Sequence, residues 1–154
     1  MSVRERVARF IESEGHRVDT TLVGDAPELA ELVFRTRGQT FSVAVSELEP
    51  QRFSLSTAYE VPDWVRDRTR AREALVDVEG DFPETRFTLA HDDTIFVATV
   101  EYDAMDVAAF LENFWDIVGR LRDAGTGAVE HMVDRSESKA AADEFIRQFM
   151  KGER

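Results

Sequence analysis

Three histidines, at 16, 91 and 131, are the side chains best suited to metal ligation or proton transfer in this 154-residue chain, and they are scattered. A metal centre needs several His, Cys, Asp or Glu ligands converging on one point. Glu130-His131 lacks the rest of an H-E-x-x-H motif. His91 stands beside Asp92 and Asp93 in an expected turn, a polar-loop setting rather than a ligand set. Asp77-Val78-Glu79-Gly80-Asp81 has the carboxylate density of a calcium loop. Its glycine is fourth rather than sixth, however, and position twelve is Thr88 rather than Glu. Phosphate-binding loops lie between a strand and a helix, whereas Gly125-Thr126-Gly127 follows a helix pattern. No G-x-S-x-G elbow is present, and the absence of cysteine removes thiol nucleophiles. Glu112 and Asp116, one helical turn apart, have the types for acid–base work, but on an amphipathic helix they belong to the solvated face. Arg66, Arg68, Arg70 and Arg72 interleave with Asp63, Asp67 and Glu73, which reads as a mixed solvated surface; a phosphate- or RNA-binding patch is the sharper alternative. No catalytic, metal-binding or cofactor-binding residues are therefore assigned. The chain reads as a protein-binding module rather than an enzyme, with no cofactor.

Composition sets the class. The length suits one domain with its own core, and 43% hydrophobic residues argue against disorder. No apolar run approaches the length of a membrane helix, and the N-terminus lacks the apolar core of a secretion signal. With no disulfide framework possible, a cytoplasmic location is expected. The net charge of −12 disfavours direct nucleic-acid binding and suits a basic protein partner.

The elements that must carry any site follow from periodicity. Ser2 and Glu5 form a capping box ahead of Val3, Val7, Phe10 and Ile11, which predicts a helix over about 3–14, stopped at Gly15. From Val18 to Val61 the period is two. Val18–Val23 is a short first strand, Arg37-Gly38 a hairpin turn, and Phe41, Val43, Val45, Phe53, Leu55 and Tyr59 give an antiparallel meander one apolar face. The opposite face is made of small residues: Ser42, Ala44, Ser46, Ser54, Ser56 and Ala58. A second helix follows Pro62, with Asp63 as its cap, and ends at Gly80. A second hairpin turns at His91-Asp92-Asp93, and its latter strand, Thr94–Tyr102, is apolar on both sides and expected to be buried on both faces. A third helix spans about 104–123. Its apolar stripes, Val107/Phe110/Phe114/Ile117/Leu121 and Leu111/Trp115/Val118, together cover roughly 160°, broad for a helix on one sheet. Gly125-Thr126-Gly127 reads as a hinge before a last helix holding Phe145 and Phe149.

This order, α-β-β-β-α-β-β-α plus a C-terminal helical arm, resembles the class I type III secretion chaperone fold and, more closely, the YbjN family. The residues carrying the likeness are Val3–Glu14, Phe34, Phe41–Val45, Phe53–Tyr59, the helix after Pro62, Ile95–Val100 and Phe110–Trp115, within 3–123. The resemblance implies an α+β domain with an antiparallel sheet of about five strands and helices packed on it. It also implies a non-catalytic homodimer that binds protein segments, in a family associated with stress response and regulation. The expected division is residues 1–124 as the chaperone-like domain and 125–154 as the arm. Phe110, Phe114, Trp115 and Val118 are the expected dimer contact; Ala44, Ser54, Ser56, Phe145 and Phe149 are the expected partner contact. A self-associating regulatory domain without a client is the alternative, and a small enzyme a more remote one.

Overall fold

The computed structural model describes the backbone of residues 1–23, 26–62, 65 and 68–152, and side chains within that range up to 133 except those of 26, 27 and 68. In chain order the elements are α1 (Val3–Ser13), β1 (Val18–Val23), β2 (Ala26–Thr36), β3 (Gln39–Ser46), β4 (Arg52–Glu60), α2 (Arg68–Asp81), β5 (Thr85–Ala90), β6 (Ile95–Asp103), α3 (Val107–Glu112) and α4 (Phe114–Gly152). The strands form one antiparallel sheet of six, ordered β1-β2-β3-β4-β6-β5. The α+β class holds, with one strand more than the expected five because Val18–Val23 pairs along β2.

Local chemistry sets the turns. Arg37 and Gly38 both take positive φ, 50° and 78°, which gives the two-residue turn between β2 and β3. His91, Asp92 and Asp93 lie at φ 50°, 56° and 64°, a left-handed run that Asp and His tolerate better than branched residues do. At α1, Ser2 accepts from the Glu5 N–H at 3.1 Å. The Glu47 carboxylate accepts from the Val3 and Arg4 N–H groups at 3.2 Å each, so the end of β3 caps the first helix.

The four helices of the described residues pack on one side of the sheet. A first core joins α1, α3 and the start of α4 to β2, β3, β4 and β6, through Leu32, Phe34, Phe41, Val43, Leu55, Phe110 and Phe114. Phe53 and Phe110 stack at 3.9 Å. A second core joins α2 to α4 through Val65, Ala74, Leu75, Phe96, Ala128 and Met132.

Three expectations need correction. The third helix is two: Asn113 breaks it, its side-chain amide donating to the Ala109 carbonyl at 3.1 Å and the Tyr102 hydroxyl at 3.3 Å. Gly125-Thr126-Gly127 is no hinge, because α4 passes through it unbroken. A β-carbon at Gly125 would lie 2.0 Å from the Tyr59 ring, so glycine is there to let that ring reach the helix backbone. The Tyr59 hydroxyl donates to the Arg122 carbonyl at 3.2 Å. Finally, β6 is fully buried on one face only; Phe96, Ala98 and Val100 are covered, while Ile95, Val97 and Thr99 face a side that no helix covers among the described residues. The expected cap Asp63, with Trp64 and Arg66, lies outside the described residues, and α2 runs one residue past Gly80.

Candidate binding face

Strand alternation sends every second residue of the six strands to the uncovered side. Register then assembles these residues into rows. One row reads Glu31, Ala44, Ser54, Glu101 from β2 to β6; the next reads Val33, Ser42, Ser56, Thr99, Arg86 out to β5. The floor at the centre is therefore Ala and Ser. Ser56 and Thr99 hydroxyls bond across β4 and β6 at 3.0 Å, and Ser46 accepts from the N–H groups of Leu48 and Glu49 at 3.2 Å each. Facing the core, Thr57 donates to the Thr40 carbonyl and accepts from Gln39, both at 2.8 Å.

Small side chains leave the surface hollow. One trough, about 260 Å³, is bounded by Leu29, Ala44, Ser46, Arg52, Ser54 and Glu101. A second, wider one of about 600 Å³ is bounded by Val33, Thr40, Ser42, Ser56, Ala58 and Val97. The charge at the rim is mostly negative. Arg52 is held by Glu49 and Asp103, each at 3.5 Å. Glu31 and Glu101 have no ion-pair partner among the described residues. They flank the Ala44–Ser54 floor three strand spacings apart, about 14 Å at the usual interstrand distance. A segment laid across this floor would pass between two carboxylates.

Ala44, Ser54 and Ser56 thus fall together on this face, Ala44 exposed and the two serines partly so. The side chains of Phe145 and Phe149 lie outside the described residues. Of the expected dimer contact, Phe110, Phe114 and Val118 are 0%, 0% and 2% exposed within one chain. The two broad stripes are absorbed by the chain's own core. Trp115, half-buried, closes the gap between α1 and the sheet against Phe10, His16 and Phe34.

The residues with chemical potential stay apart. His16 Nδ1 lies 3.1 Å from the Arg35 carbonyl, His91 is in its hairpin, and His131 pairs with Asp77 at 3.3 Å between α4 and α2. Asp77, Glu79 and Asp81 are in helix α2, not in a loop able to wrap a cation. Glu112 and Asp116 are both exposed on opposite sides of the Asn113 break. Arg70 pairs with Glu73 and Arg72 with Asp93, which dissolves the arginine cluster into ion pairs; Arg66 and the Arg68 side chain lie outside the described residues. Among the described residues no three His, Cys, Asp or Glu converge on a metal-sized point, and no helix is long and apolar enough to cross a membrane. Sequence reasoning missed the flanking pair Glu31 and Glu101. Alternation fixes the side each takes along its own strand, but only register puts them in one row.

The molecule defined by these features is an α+β protein with a half-covered antiparallel sheet and a shallow, acid-flanked open face. No protein-family model matches the chain, and no curated protein matches it. Solved structures do match the fold. An uncharacterised protein from Methanothermobacter thermautotrophicus is 11% identical, with a TM-score of 0.64 over 86% of this chain and 98% of that one. YbjN, a proposed transcription regulator from E. coli, is 12% identical, with a TM-score of 0.53 over 86% of this chain and 93% of that one. The fold resemblance to YbjN read from the sequence is confirmed; at these identities the likeness is one of fold.

Proposed function

We propose that this chain is a non-catalytic protein-binding module that takes a basic, extended segment of a partner protein across its open sheet face. The observation that carries the reading is the row Glu31–Ala44–Ser54–Glu101: a floor low enough for a backbone to approach closely, bounded at both ends by carboxylates. Charge at a rim steers encounter and selects partners, while the hollow floor supplies contact area. The overall charge of −12 points the same way. YbjN being described as a proposed transcription regulator agrees with a regulatory, non-enzymatic role. On sequence pattern, Phe145 and Phe149 in the second half of α4 are a further contact element.

A short synthetic peptide alternating Arg and Val tests this, with its Glu/Val counterpart as control. Amide NMR shifts are expected at Ser42, Ala44, Ser54, Ser56 and Thr99, and binding should weaken in the E31Q/E101Q double variant. Equal binding of the acidic peptide, or shifts confined to the helix side, would overturn the reading.

A further inference from the structure

The two edges of the sheet are finished differently. At β5, the outward N–H of Phe87 donates to the Glu79 carboxylate of α2 at 2.9 Å, and α2 packs along the strand. At β1, every residue from Asp19 to Val23 is exposed, and among the described residues no side chain bonds to the strand's backbone. An open edge offers unpaired N–H and C=O groups to another strand, and proteins guard such edges with Lys, Pro or inward-pointing charges. Val18-Asp19-Thr20-Thr21-Leu22-Val23 has a single charge, and Arg17 lies 3.5 Å from it. In a chain of net charge −12 this edge is a neutral strip, where a second copy can approach without like-charge repulsion.

We propose that β1 is a self-association strand: two copies pair antiparallel about a two-fold axis at Thr20, joining two six-stranded sheets into one of twelve. The side-chain pattern is complementary to itself in this register. Val18 and Leu22 both point to the helix side; Val18 packs at the rim of the core, while Leu22 is left 50% exposed. The two-fold places each Leu22 opposite Val18 of the other copy, so both apolar side chains gain a partner twice over. On the open side Thr21 meets Asp19, hydroxyl against carboxylate, and no like charges stand directly opposite. The interface is isologous and closes at two chains. It replaces the helix surface that the core has consumed, and it is independent of what the open face binds.

The chain has no cysteine, so T20C supplies a unique thiol. Light scattering is expected to give twice 17.5 kDa for the native chain and 17.5 kDa for L22K, with the melting of the sheet retained because Leu22 is exposed. Mild oxidation of T20C should yield a cross-linked pair, and T88C on the guarded β5 edge should not. A native chain that is monomeric, or a dimer that survives L22K and leaves T20C uncross-linked, would overturn the proposal.

Discussion

The two faces of the sheet are written in alternate letters of the same strands, yet they follow different rules. On β4, Phe53, Leu55 and Thr57 are buried on the helix side, while the alternating Ser54, Ser56 and Ala58 meet no covering element among the described residues. The helix side is large, aromatic and closed. The open side is small, hydroxylated and hollow. Stability and contact are thereby separated by one residue of register, so each can be changed without the other.

The sharpest break in that contrast comes from the core. F110A removes a fully buried ring stacked on Phe53 and should cost about 3–5 kcal/mol in urea denaturation. Next, G125A forces a methyl group into the Tyr59 ring and should cost about 1–3 kcal/mol. The same change in a Y59A background should cost less, since the obstructing ring is gone; purely additive losses would show that the ring is not the reason for the glycine.

Alkaline pH probes the same contact more gently. Burial, ahead of the opposing hydrogen bonds from Gln39 and Thr126 and the charge of Arg122, raises the Tyr59 pKa above the ordinary 10.0. The fold therefore favours the neutral phenol. The associated stability is present in full below the ordinary value and is lost as pH rises through the folded one. Melting temperatures of Y59F should fall less steeply than those of the native protein across that alkaline window.

The smallest stability effect belongs to the open face. A44R should shift stability by no more than about 0.5 kcal/mol, as is usual for exposed positions, while abolishing binding of the basic peptide. An A44R protein as unstable as F110A would erase the distinction between the faces.

Much of this division is legible in sequence. Period-two alternation separates Phe41, Val43 and Val45 from Ser42, Ala44 and Ser46, and the Arg37-Gly38 turn follows from its residue types. The failures share a physical cause, because each depends on a partner distant along the chain. Gly125 reads as a break until Tyr59 is placed against it. Ile95 and Val97 read as buried until the absence of a helix over them is seen. The wide stripes of the third helix imply an interface until Phe10, His16 and Phe34 are found to absorb the surplus. The Glu31–Glu101 pair is invisible for the same reason, being created by register across three strand junctions.

The bare backbone at Gly125 also acts as an index mark for α4. Each residue step turns a helix by about 100°, and Gly125 is the position where a β-carbon would strike the Tyr59 ring. Only one rotational setting of α4 presents its notch to the ring. Ala128 and Met132 lie three and seven positions further on, along the same stripe, and in that setting they fall into the seam with α2. One missing methyl group thus sets the azimuth of the helix and aligns the second core.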